Sequence, residues 1–282
     1  MEQSITLILN CLTLISILIL VSLGLAIIFG LMNVINLAHG DFVTVGAYTL
    51  AFTQAMGGNY WLALFLAPFV GAALGWTIER SMMRHLYHRP QAIILATWGL
   101  GMIIQQLLQL GFGAAPQRVS GPFDGAMEIF GATYPVYRLA LIVFCLLVVA
   151  IVYTLLRWSR FGLDVRAIIQ DHDMASALGI DTARVNSAAF ALGAALAAVA
   201  GVLIAPLTVV VAQMGINYLA RSFFVVIVGG AGSATGVVAG SSIVGGLETL
   251  MSYQLPPTVA QALVLVVAIV LVRFRPRGLV AS

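Results

Sequence analysis

Asn36, His39 and Asp41 fall close together in the run Ile35-Asn36-Leu37-Ala38-His39-Gly40-Asp41-Phe42, between two apolar stretches. Together they offer hydrogen-bond donors, acceptors and one negative charge. Such groups are costly at membrane depth and usually face a cavity or a protein interior. Gly30 and Gly40 flank them and give the backbone freedom. One reading is a broken helix whose free ends line a solute pathway or a subunit contact. The other is a short solvated turn in which Asn36 or Asp41 caps the next helix.

A second irregular run is Val228-Gly229-Gly230-Ala231-Gly232-Ser233-Ala234-Thr235-Gly236, followed by Gly240, Gly245 and Gly246. Small residues at this density permit close helix approach or a sharp reversal between short helices. No lysine follows, so the run is not a phosphate loop. The two irregular runs could mark distantly related halves, but no internal sequence repeat is strong enough to claim. Glu248 lies in an apolar run, as a proton or substrate site or as a satisfied interhelical group. His85 and His88 form an H-x-x-H pair without accompanying carboxylate or cysteine ligands, so no metal site is expected. Paired carboxylates, a histidine cluster and a nucleophile motif are all missing, which argues against an enzyme.

Composition narrows the classes further. Of 282 residues, 61% are apolar and only 8% charged, against about 25% charged in soluble domains. A bilayer can accept that surface and water cannot. The net charge of +3 comes from scattered arginines with no aromatic-interleaved patch, so lipid and not nucleic acid is the expected surroundings. All 13 basic residues are arginine. Without lysine the chain cannot build a Walker A site or a Schiff base. Cys11 and Cys145 both sit in apolar runs and suggest neither a disulfide framework nor a metal site.

The elements that must position these residues are apolar runs near 5–30, 34–56, 61–78, 91–112, 138–156, 186–210, 217–231, 234–251 and 257–272. The expected fold is all-α, a single polytopic helical bundle over 1–282 with about eight or nine spans. Eight crossings result if 34–56 or 217–231 is re-entrant. The N-terminus lacks a basic region and a small-residue cleavage site, so it reads as a retained first helix. Ten arginines cluster at 80–89, 157–184 and 273–277, against Arg118, Arg138 and Arg221 on the other side. That asymmetry predicts cytoplasmic clusters and a cytoplasmic C-terminus. The loop 113–137 is the longest on the outer side and too short for a ligand-binding domain.

Residues 157–185 make the only substantial cytoplasmic segment. Phe161, Val165, Ile168, Ile169 and Leu178 recur at near-helical spacing, and Gly179 suits a C-terminal stop. A short amphipathic helix there could dock into the groove of a soluble partner or lie on the membrane. The run Ala175-Ser176-Ala177-Leu178-Gly179-Ile180-Asp181 resembles the coupling loop of bacterial ABC-importer permeases. Ile35–Asp41, the Gly229–Gly236 run and the terminal Arg273-Phe274-Arg275-Pro276-Arg277-Gly278-Leu279 are similar to the branched-chain amino acid permease family, LivH-like more than LivM-like. A likeness to the urea and short-chain amide sub-branch lies in Leu95-Ala96-Thr97-Trp98-Gly99, Gln105-Gln106 and Gly24–Met32. Arg221 departs from it, where an acidic residue is common.

This resemblance implies a bacterial inner-membrane importer. Its partners would be a second, LivM-like permease subunit, two cytoplasmic ATP-binding subunits and an extracytoplasmic solute-binding protein. ATP is then the cofactor of those subunits, and this chain holds none. Arg166, Asp171, Ala175, Leu178 and Gly179 become the expected ATPase-coupling positions. Asn36, His39, Asp41, Gly229, Gly230 and Gly232 become the pathway or broken-helix candidates. Sparse intramembrane charge suits neutral or zwitterionic solutes, branched-chain amino acids or urea and short amides. The competing class is a stand-alone secondary carrier or channel, for which only Asp41 and Glu248 offer ion-coupling groups.

Overall fold

The computed structural model describes residues 2–87, 89–129, 131–230, 232–274 and 278–279. His88, Ala231, Arg275 and Arg277 lie outside them. The described residues form eleven α-helices, two short 3-10 turns (Met83–His85 and Ala205–Leu207) and one hairpin: α1 (Glu2–Met32), α2 (His39–Ala55), α3 (Tyr60–Ser81), α4 (Pro90–Phe112), β1 (Ala126–Ile129), β2 (Ala132–Pro135), α5 (Val136–Trp158), α6 (Arg160–Gln170), α7 (His172–Ala177), α8 (Thr182–Ile204), α9 (Met214–Gly229), α10 (Ala234–Ser252) and α11 (Pro257–Phe274). The expected all-α polytopic bundle is what forms. Six helices, α1, α3, α4, α5, α8 and α10, are long and apolar enough to cross a membrane. The antiparallel hairpin, with Met127 opposite Tyr134, occupies the long loop after α4.

α1 and α8 form the core. Their middles are buried on every side, because glycine lets them cross backbone to backbone. A Cβ on Gly24 would lie 2.6 Å from Gly193 O, and one on Gly193 would lie 2.7 Å from Gly24 O. α4 and α5 sit outside and expose Leu95, Trp98, Leu107, Val143 and Ile151. That exposure is what apolar surroundings allow.

α2 and α9 start inside the bundle. Asn33 takes a left-handed conformation (φ 49°) and ends α1, which asparagine tolerates better than most residues. The chain then climbs back beside α1. His39, at the start of α2, reaches Val21, about three turns before the end of α1. After α8 the chain likewise turns inward: Val210 pairs with Gln117, and Gly215 at the start of α9 packs on the Gly40 backbone. Gly215 N–H donates to Thr44 Oγ1 at 3.0 Å, so an α2 side chain satisfies one end donor of α9.

The two halves share one motif. A long helix, an irregular return and a short interior helix are followed by a third helix packed on the opposite half's long helix. In this way α3 packs on α8 and α10 on α1. Because α1 and α8 run oppositely, the halves are inverted relative to each other. The residue types of the two halves do not betray the repeat; their backbone courses do.

Candidate translocation site

Asn36, His39 and Asp41 come together in the interior, with 0%, 0% and 4% exposure. Asn36 Oδ1 accepts from Ala38 N–H at 3.0 Å and folds the backbone into the start of α2. Leu37 N–H donates to Thr97 Oγ1 on α4 at 3.2 Å. His39 Nε2 lies 3.0 Å from Val21 O. A carbonyl only accepts, so this nitrogen carries the proton. Nδ1 of the same ring and Asn36 Nδ2 are buried without a protein partner. Asp41 sits in the first turn of α2, where the helix dipole favours negative charge. Its Oδ1 accepts from Gln105 Nε2 at 2.8 Å. Thr97 and Gln105, two of the α4 residues in the amide-permease likeness, are therefore the anchors of this element. The forward bond of Asn36 is a turn, but one enclosed by protein and not solvated.

Gly229, Gly230 and Gly232 lie elsewhere, at the face that carries α6 and α7. α9 ends at Gly229, and Gly230 and Gly232 turn the chain with φ of 106° and 77°. Ser233 Oγ then accepts from Gly236 N–H at 3.1 Å and starts α10. Gly232 packs against Gly30, near Ile169 of α6. A cavity of about 790 Å³ opens here, lined by Arg157, Arg166, Trp158 and Ser233 among others. The glycine run thus joins α10 to α6, while Asn36, His39 and Asp41 form a separate interior site.

The stretch after α5 is two helices, not one, because Asp171 leaves the helical conformation (φ −157°, ψ 104°). Its Oδ1 accepts from Met174 N–H at 2.9 Å and caps α7. Arg166 reaches back to the carbonyls of Leu156 and Arg157, closing the end of α5. Val165, Ile168 and Ala175 turn inward and are buried. Ala175 therefore holds α7 in place, and the outward apolar groups are Leu163, Met174 and Leu178, the last 77% exposed. Gly179 has φ of 89° and nothing within 4 Å of an added Cβ.

Two acidic side chains are held between helices. Arg221 projects from α9 and pairs with Glu248 of α10 at 2.7 Å. Gln261 also donates to Glu248, at 3.4 Å, so Glu248 is a satisfied interhelical group. Glu79, unremarked in the sequence, is fully buried. Tyr87 donates to its Oε1 at 2.6 Å and Ser187 to its Oε2. Burial, together with the bond to Glu79, holds the Tyr87 hydroxyl well above its ordinary pKa. Among the described residues no group of three or more histidine, cysteine or acidic side chains could hold a metal.

Residues 7–272 match the family model described as branched-chain amino acid transport system, permease component. The chain is 30% identical to the LivH permease proteins of Salmonella typhimurium and Escherichia coli, over 92% of its length and 90% of theirs. It is 28% identical to BraD of Pseudomonas aeruginosa, again over 92% of this chain and 90% of that one. The LivM permease of Salmonella typhimurium matches more distantly, at 28% over 78% of this chain and 58% of that protein. No solved structure shows significant similarity. The chain, a multi-pass membrane protein with an interior broken-helix pair, belongs to the family of branched-chain amino acid transport system permease components.

Proposed function

We propose that this chain forms half of the translocation pathway of an ATP-driven importer for branched-chain amino acids or closely related zwitterions. The observation that carries the reading is the meeting of α2 and α9 inside the bundle, beside buried Asn36, His39 and Asp41. Short helices that end in the interior present polar backbone groups there, and discontinuous helices of this kind hold solutes in other transporters. ATP hydrolysis belongs to separate subunits, since the 282 residues contain no lysine for a Walker A site. One of the two ATP-binding subunits docks on α6 and α7 of this chain through Leu163, Met174 and Leu178. A second, LivM-like permease subunit completes the pathway, and a solute-binding protein delivers cargo on the hairpin side.

Counting each irregular return with its short helix as one pass, the chain crosses nine times in the bacterial inner membrane. The N-terminus is outside, and α6, α7 and the C-terminus are cytoplasmic, in line with the arginines at 80–89 and 157–184. ATP binding drives the change by favouring one conformation of the complex over the other.

Leucine uptake into membrane vesicles carrying the whole complex tests the reading. Uptake is expected to require ATP and the binding protein, and to persist when ion gradients are dissipated. Uptake that follows an ion gradient without ATP would instead identify a secondary carrier.

A further inference from the structure

Two cavities adjoin on the side of the bundle where α5, α6 and α10 meet. The larger, about 790 Å³, is lined by Arg157 and Arg166 and by the hydroxyl side chains of Ser233 and Thr235. None of its described lining residues is acidic. None of the ion pairs among the described residues includes either arginine. Arg166 donates to the Leu156 and Arg157 carbonyls, which fixes its guanidinium at the end of α5 without cancelling its charge. Arg157 is exposed.

The smaller cavity, about 350 Å³, shares Leu23, Tyr153, Leu156, Ala234 and Thr235 with the larger. Beyond those its walls are aliphatic: Ile19 of α1, Leu146, Val149 and Ala150 of α5, and Val238 of α10. Leu146 and Val238 are 54% and 44% exposed, so this groove opens on the apolar surface of the bundle. From Tyr153 back to Leu146 the helix rises about 10 Å, a large part of the ~15 Å of hydrocarbon in one leaflet. Tyr153 and the exposed Trp158 stand where the two cavities adjoin, as aromatic residues do at a membrane interface.

A ligand that fills both spaces is negative at one end and hydrocarbon at the other. Free phosphate would use the arginines and leave the groove empty. A zwitterionic phospholipid would bring a cation beside two guanidinium groups, with no acidic side chain lining the cavity to receive it. An anionic phospholipid satisfies both halves. Its phosphodiester oxygens accept charge-assisted hydrogen bonds from the arginines, and an acyl chain covers the groove. Basic pockets between membrane helices on the cytoplasmic side suit such headgroups.

We propose that these adjoining cavities form a site for an anionic phospholipid of the cytoplasmic leaflet, with its phosphate on Arg157 and Arg166 and an acyl chain between α5 and α10. The bound headgroup then bridges the end of α5, α6 and the start of α10. The proposal goes beyond the importer reading and takes from it only the orientation of α5.

The test is native mass spectrometry of the complete permease–ATPase complex, delipidated in detergent. The probes are phosphatidylglycerol, phosphatidylcholine with the same acyl chains, and glycerol 1-phosphate, a headgroup without chains. Wild type is expected to bind one phosphatidylglycerol per copy of this chain, at least about fivefold more tightly than phosphatidylcholine. Arg157→Gln abolishes that preference, and Arg157→Lys keeps most of it. Val238→Trp fills the groove without altering charge and weakens phosphatidylglycerol by a similar factor; it carries the test if Arg157→Gln does not assemble. Wild-type binding in both Arg157→Gln and Val238→Trp overturns the proposal. A wild-type complex without the preference overturns it too, and points to the second permease subunit as the cover of this surface. Loss in Arg157→Gln but not in Val238→Trp, with glycerol 1-phosphate competing for the site, identifies a soluble-anion site and also overturns it. Leucine uptake is measured separately, so failure of the lipid preference leaves the importer reading standing.

Discussion

His39 and Asn36 show how little freedom a buried polar side chain has in this bundle. Each uses one end to hold backbone, at Val21 O and Ala38 N–H, and both side chains are fully buried. Asn36→Ala and His39→Ala should therefore each cost about 1–3 kcal/mol, the penalty for a buried group left unpaired. The expected outcome is a several-fold or greater loss of uptake at matched membrane abundance, and wild-type rates in both variants would return these residues to a solvated turn. Thr97→Val should act in the same direction, since Leu37 N–H then loses its acceptor, with a smaller drop in the complex's melting temperature. The element around Asn36 was legible in the sequence because three polar groups interrupt an apolar run. Glu79 was not. Its partners Tyr87 and Ser187 stand 8 and 108 positions away, so no local pattern marks it, and a carboxylate at the end of an apolar run reads as a boundary charge. The partner of Arg221 was hidden in the same way, because Glu248 lies on another helix, α10.

At the scale of elements, the positions of the long helices could be read from apolar runs, and the breaks could not. α2 and α9 are short because their first residues lie inside the bundle, and nothing in local composition records depth. The division of α6 from α7 turns on the capping side chain of Asp171, which spacing alone merges into one helix. Two substitutions test what these elements do. Gly179 holds a left-handed backbone in open space, so Gly179→Val costs about 1–2 kcal/mol of local strain without a clash. The variant should reach the membrane normally, hydrolyse ATP in the complex and lose most uptake, read as uptake per ATP hydrolysed. An unchanged ratio would detach α7 and its C-terminal turn from coupling. Gly193→Leu behaves differently, because its side chain would enter the Gly24 backbone at the crossing of α1 and α8. There the expected outcome is loss of folded protein in detergent extracts, and near-normal yield would contradict the crossing.

Over the whole molecule, two inverted halves cross at Gly24 and Gly193 and bring two interior helix starts together at Gly40 and Gly215. Such an arrangement can alternate by moving one half against the other around a fixed centre. The arginine bias sets the expected orientation, so reporter fusions in the segment between α5 and α8 and after α11 should both report the cytoplasmic side, and an outer-side signal from either would overturn it. The inverted repeat was invisible in the sequence because packing constrains which positions are small or apolar, not which residues fill them. If the interior element lines the pathway, it must meet water at some stage of the cycle and be closed at another. The direct measurement is thiol labelling of Ala38→Cys in a Cys11→Ala/Cys145→Ala background, in the complete complex with binding protein. Ala38 is fully buried in the present conformation. The account predicts slow labelling at rest and labelling at least tenfold faster during ATP turnover with solute present. A thiol that stays unreactive while transport proceeds, or one that reacts equally fast at rest, would contradict it.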